Sequence, residues 1–310
     1  MKQIIYIIIL ISSIYTAKSQ QDPLISHVFD NKTFINPAFA GTQGEICANL
    51  INRQQWFGLE GAPKTTILNL NSPINIFGTK SGIGISLLDD KLGLEKNFTG
   101  MIDYSYHHML GEGILSFGAQ LGINNKAFEG TWTTPEISAN ADPAIPAEND
   151  HNLVFDMGFG IAYNIGNLYV GLSSTHLTQP SYNFTNAKLP FLKRHYYLIS
   201  GYIYEIPNSL IELKPNVMLN SDGSSSQMLI NVDVLYNKKF WGGVSYRTVN
   251  GIDIKIGVEL LNGIRIGYSY GLNISEIIRT NSGSHELMLG YCFNLSIDKA
   301  PQKYRSVRFL

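Results

Sequence analysis

The sequence predicts an all-β protein, a transmembrane antiparallel up-and-down β-barrel of about fourteen strands with short periplasmic turns and longer extracellular loops. Three observations carry that expectation. First, apolar side chains recur at every second position in one segment after another. In "NGIRIGYSYG" (262–271), Ile264, Ile266, Tyr268 and Tyr270 alternate with Arg265, Gly267 and Ser269, which gives a strand one greasy and one polar face. Second, the connections between such segments are alternately long and short, as in bacterial outer-membrane barrels. Third, only 15% of the 310 residues are charged, while Gly (29), Tyr (17) and Phe (15) are plentiful; soluble domains carry roughly 25% charge. A net charge of −1 also argues against nucleic acid as a partner, because that surface needs clustered positive charge.

The N-terminus sets the compartment. Lys2, an apolar run from Ile4 to Ile11, and the small-residue stretch Ala17-Lys18-Ser19 predict a signal peptide over 1–19, cleaved between Ser19 and Gln20. The apolar run is shorter than the ~20 residues of a spanning helix, and no Cys follows the cleavage site to carry a lipid. Residues 20–43, "QQDPLISHVFDNKTFINPAFAGTQ", mix apolar residues with Pro and Asn. They are expected as a periplasmic N-terminal segment, a candidate plug that folds into or beneath the periplasmic mouth, with Asn36, Pro37 and Ala38 at its centre.

The barrel is expected over 44–296, with strands beginning near 45, 64, 80, 97, 113, 152, 167, 194, 209, 227, 239, 252, 263 and 285, each about the 9–11 residues needed to cross at a tilt. "GILSFGAQLGI" (113–123), "NLVFDMGFGIAY" (152–163) and "GIDIKIGVEL" (251–260) show the alternation most clearly. Long connections fall at 57–63, 89–96, 126–150, 175–193 and 272–284. "RHYYLISGYIY" (194–204) is apolar on both faces, so its register stays open. Pro215 falls inside the ninth strand and calls for a bulge or strand end. Tyr104, Tyr106, Tyr163, Tyr202, Tyr204 and Tyr236 form one interfacial girdle, and Tyr246, Tyr268 and Tyr270 a second.

Period two also assigns a lumen set: Glu45, Arg53, Asp103, Asp156, Glu212, Lys214, Asp233, Arg247, Asp253, Lys255, Glu259, Arg265 and Glu286. Mixed signs point to charges that satisfy each other rather than to an ion-selective ring. Cys47 starts the first strand and Cys292 ends the last. Closure brings them together at the periplasmic rim, either as a disulfide or as two unpaired wall residues. No enzyme is expected: His107 and His108 are adjacent and face opposite sides, and no nucleophile elbow, zinc motif or phosphate loop appears. His176 and His195 flank one outer loop and could approach each other at the outer rim, where they are expected as polar contacts with water, and the pair Asp89-Asp90 is expected to be solvated rather than calcium-binding. A tail, 297–310, carries Lys299, Lys303, Arg305 and Arg308 and is either solvated or a periplasmic docking segment.

Several ordered segments resemble the PorP/SprF family of the type IX secretion system of Bacteroidetes. These are "QDPLISHVFDNKTFINPAFAG" (21–41), "NRQQWFGLEGAPKT" (52–65), "GIGISLLDDKLG" (82–93), "DYSYHHMLGEGILSFG" (103–118), "FWGGVSYR" (240–247), "RIGYSYG" (265–271) and "SGSHELMLGY" (282–291). The resemblance implies a barrel in the cell outer membrane, surrounded by lipid, that helps secrete or anchor a partner surface protein with a type IX C-terminal domain. It further implies contact with periplasmic components of the machinery, a role in gliding motility, and no cofactor. Strand direction places Arg53 and Trp56 near the outer mouth, as residue types favoured in interfaces. An alternative is a channel for small hydrophobic molecules, since Asn36-Pro37-Ala38 resembles the N-terminal hatch of the fourteen-stranded long-chain fatty-acid transporters.

Overall fold

The computed structural model describes residues 22–76, 78–130, 149–184, 192–248, 251–260, 263–273 and 281–294. The signal peptide with Ser19 and Gln20, most of the 126–150 loop, parts of the loops 175–193 and 272–284, and the tail lie outside these residues.

Alternating sequence becomes fourteen antiparallel strands: β1 (Ile46–Gln54), β2 (Lys64–Ile76), β3 (Thr79–Leu92), β4 (Glu95–Leu110), β5 (Gly113–Phe128), β6 (His151–Ile165), β7 (Leu168–Thr175), β8 (His195–Tyr202, resuming as Tyr204–Glu205), β9 (Ile211–Ser221), β10 (Ser226–Tyr236), β11 (Phe240–Arg247), β12 (Gly251–Glu259), β13 (Ile264–Asn273) and β14 (Ser284–Phe293). Every strand pairs with its neighbours in sequence, and β14 closes on β1 through pairs such as Cys47↔Cys292 and Arg53↔Glu286. Closure removes the edges that an open sheet would leave unpaired in lipid. The starts agree with the periodicity reading to within about two residues.

The chain is inside out by the standards of a soluble protein. Ile102, Leu121, Leu153, Phe155, Ile254, Ile256 and Leu287 point outward and are exposed, while Asn69, Asp103, Ser105, Gln120, Asn231 and Glu286 are buried within. So extensive an apolar surface is tenable only against lipid. Tyr104, Tyr106, Tyr202, Tyr204, Tyr236 and Tyr246 are exposed on that coat, and Tyr163, Tyr268 and Tyr270 are half-buried on it.

Three expectations are corrected. β2 to β6 are longer than a tilted crossing requires, reaching 16 residues in β4 and β5. The connection expected at 89–96 is mostly strand, with pairing running to Leu92↔Glu95, so Asp89 and Asp90 belong to the β3–β4 hairpin rather than to a solvated loop. At Pro215 there is neither a bulge nor a strand end. The β8–β9 ladder stops after Gly201↔Asn216 and resumes at Tyr204↔Leu213 in the same register, so the neighbour breaks, at Ile203. A proline has no N–H to give the ladder, and Pro215 stands opposite Tyr202, the last residue of β8 before the gap. The open register of β8 resolves with His195, Tyr197 and Ile199 buried inward and Tyr196, Leu198 and Tyr202 outward.

Strands β7 and β11 have 8 residues each and β8 has 8 before its gap, so the wall is lower there than at β2–β6. The longer connections gather at one end, the outer one by the usual rule. The other end carries turns as short as Gly111-Glu112 and Gly166-Asn167.

Candidate functional site: a plugged lumen and its outer vestibule

A barrel this wide leaves an interior that its own side chains do not fill. The segment before β1 fills it. From Asp22, beside His176 and His195 at the outer end, the chain descends through three 3₁₀ turns, Val28–Asp30, Lys32–Phe34 and Pro37–Phe39. It reaches the short-turn end at Gly41, which lies against Pro73 and Gly82, and then enters β1. This corrects the expectation of a periplasmic segment in or beneath the mouth: its described part runs the length of the lumen, and only its last residues reach the periplasmic rim.

Local chemistry shapes the lower half of the plug. Asn36 caps the third turn, its side-chain oxygen accepting from Ala38 N at 3.0 Å with Pro37 at the first position, a favoured combination. Its amide donates to the carbonyls of Ile161 and Leu172, both at 3.2 Å, on paired strands β6 and β7. Ser105 on β4 and Ser173 on β7 donate to Ala38 O and Ile35 O. Such close approach requires missing side chains in the wall. A Cβ on Gly118 would lie 2.2 Å from Ala38 N, and one on Gly160 would lie 2.0 Å from Asn36 Oδ1. Ile25, Val28, Phe29, Ala38 and Phe39 form one buried cluster with wall residues Ile51, Ile67, Ile199, Leu229 and Met288.

Charges lock the upper half. Glu286 is buried and accepts from Ser26 N and His27 N, both at 2.8 Å, from His27 Nδ1 at 2.6 Å and from Arg53 Nη1 at 2.9 Å. Arg53 also donates to Ser26 Oγ, and Arg247 donates to Ile25 O. Arg265 pairs with Asp30 of the plug and with Glu259, and stacks 4.7 Å over Trp241. Lys32 lies 4.0 Å over the Tyr169 ring. Within the wall, Lys255 pairs with Asp233 at 2.8 Å, Lys214 with Glu212 at 3.5 Å, and Arg247 with Asp253 at 3.8 Å. Asp103 hydrogen-bonds with Ser86, and Glu45 accepts from Asn294 at the lower rim.

Above the plug lies a cavity of about 720 Å³ whose lining includes Asp22, Trp56, Asp90, Lys126, Tyr182 and Leu192. The loop after β7 folds back over its side: Tyr182, Phe184 and Leu192 bury against Phe128 and Val154, and Tyr182 donates to Asn124. Trp56 is half-buried at the edge, with φ 54°. Arg53 is only 4% exposed and committed to Glu286 and Ser26, which corrects the expectation that it meets a partner at the mouth.

The histidines expected as solvated rim residues are also corrected. His176 and His195 are buried around Asp22. His176 Nε2 is 2.9 Å from Asp22 Oδ1 while its Nδ1 contacts Asp156, and Tyr197 donates to Asp22 Oδ2 at 2.6 Å. Burial alone would raise the Asp22 carboxyl, but His176, His195 and Tyr197 outweigh it and hold it well below the usual carboxylate range. Burial disfavours the His176 cation; Asp22 and Asp156 reverse that and push it up to about 10. At the opposite end Cys47 and Cys292, register partners with Cα atoms 4.1 Å apart, are disulfide-bonded across the β14–β1 seam.

Sequence reading found the lumen charges but missed their partners on the plug. The one available signal was glycine at inward positions, as in "SFG" (116–118) and "GFG" (158–160), which marks close backbone approach.

A closed, lipid-coated β-barrel whose lumen is filled by its own N-terminal segment is an outer-membrane barrel. The chain belongs to the PorP/SprF family, whose model, described as "Type IX secretion system membrane protein PorP/SprF", matches residues 17–291. Among solved structures it is similar to the Acinetobacter baumannii outer membrane protein Omp33 (7% identity, 80% of this chain and 99% of that one, TM-score 0.48). It is also similar to the Ralstonia pickettii toluene transporter TbuX (10%, 84% and 92%, 0.47) and to the P. putida toluene transporter TodX (10%, 81% and 89%, 0.47). These likenesses are too distant to bear on function. A search of the curated proteins found no match.

Proposed function

We propose that this type IX outer-membrane barrel is a receptor for a secreted surface protein, which docks in the outer vestibule and is thereby released from, or held at, the cell surface. One observation carries the reading: the vestibule is floored by a plug anchored to strands all around the wall. A cavity closed below by the plug suits capture better than passage. Its lining includes Trp56, a residue type enriched among the anchors of protein interfaces. The short turns at the other end face the periplasmic machinery, and the bound client would serve gliding motility.

The test is purification from native membranes after placing a photo-crosslinking residue at Trp56. A large secreted protein, joined in roughly equimolar amount, is the expected outcome. A barrel crosslinked only to lipid or small hydrophobic molecules would overturn the reading in favour of transport.

A further inference from the structure

We propose, independently of the receptor reading, that the outer anchor of the plug is a site for one divalent transition-metal ion of the zinc class, ligated by Asp22, His176 and His195. One carboxylate oxygen and one ring nitrogen from each histidine lie within 4.8 Å of one another. Two imidazoles and a carboxylate are a ligand set suited to zinc. With metal–ligand bonds of ~2.0–2.1 Å, the ligand atoms of a tetrahedral site stand roughly 3.3 Å apart. Asp22 Oδ1 stands 2.9 Å from His176 Nε2, close to that spacing. An ion bound here would draw the three ligands together and displace to water the proton shared by His176 Nε2 and Asp22.

The surroundings are those of a built site. Zinc-binding histidines usually hand their second ring nitrogen to a carboxylate or carbonyl, which orients the ring and raises its basicity. Here Asp156 takes His176 Nδ1, the Lys193 carbonyl lies 3.0 Å from His195 Nδ1, and Tyr197 steadies Asp22 with a 2.6 Å hydrogen bond. Asp22 and His176 both line the vestibule, which gives the ion an entry path and a place for a water as fourth ligand. The three ligands come from the plug, from the residue after β7 and from the first residue of β8. A bound ion therefore staples the outer end of the plug to the lowest part of the wall.

The experiment uses the full chain, folded in detergent, stripped with a chelator and titrated with Zn²⁺ alone. In parallel, Co²⁺ is added and its visible d–d absorption recorded. One ion per chain at micromolar or tighter affinity is expected, with the intense Co²⁺ bands of a four-coordinate site. His195→Ala and Asp22→Asn should abolish stoichiometric binding. Asp156→Asn, which leaves all three ligands in place, should weaken it about 10- to 100-fold. Each variant is first shown to be a folded barrel by its heat-dependent gel mobility. Binding only in the millimolar range, or unchanged binding in His195→Ala and Asp22→Asn, would overturn the proposal.

Discussion

Replacing Glu286 with Gln should loosen the plug and leave the barrel standing. The carboxylate is buried and holds Ser26 N, His27 N, His27 Nδ1 and Arg53. Removing one member of a buried ionic network costs about 3–5 kcal/mol, since the remaining charge is stranded. An amide keeps the shape and one acceptor oxygen, so the lower figure applies, about 3 kcal/mol. The backbone of residue 286 pairs with Arg53 on β1 and Ser269 on β13, and that ladder does not depend on the side chain. The loss therefore falls on the plug, whose opening equilibrium should rise about 10²-fold at 1.4 kcal/mol per decade. Hydrogen exchange read by mass spectrometry separates the two parts. Amides of 38–42, remote from the substitution, should exchange about 10²-fold faster, while those of β1 and β14 keep their protection. Unchanged exchange in the plug would refute the reasoning, as would loss of protection in plug and strands together.

Other perturbations probe the same architecture. Gly118→Val puts a side chain where Ala38 N lies 2.2 Å from the ideal Cβ, so it should expel the plug and raise single-channel conductance in planar bilayers. Conductance equal to wild type would contradict the fit. A cysteine at Pro23, by the outer vestibule, should react with a membrane-impermeant thiol reagent on intact cells, and one at Gln43, exposed at the opposite end, should not; the reverse pattern would invert the plug. Ile254→Arg places a charge on the lipid face midway along β12 and should cost about 2–4 kcal/mol in detergent or lipid unfolding titrations. A neutral result there would mean that this face does not meet hydrocarbon.

Strand positions and facing were legible because each is a local property, and closure followed from an even run of such strands with no edge permitted in lipid. A period of two declares which side chains share a face, and the starts of all fourteen strands follow from it. That Asp89 and Asp90 are paired strand residues near the β3–β4 tip was not legible, because a strand standing above the membrane need not be greasy on its outer side. Pro215 was misread because only the neighbouring strand reveals which side of the ladder lacks a donor.

By itself, then, the sequence determined an outward coat of Ile, Leu and Tyr, an inward wall of Asn, Ser and charges, and a seam that sets Cys47 beside Cys292. Tertiary structure alone decided what the wall holds. Parity turns Glu286, Asp156 and Gly160 inward but names no partner, and the 22–45 segment has no periodicity to announce its path. His27 meets Glu286 across 259 residues and Asp22 meets His176 across 154. Such contacts arise only after the barrel closes, when buried charges and bare backbone in the lumen must each find a match that water can no longer supply.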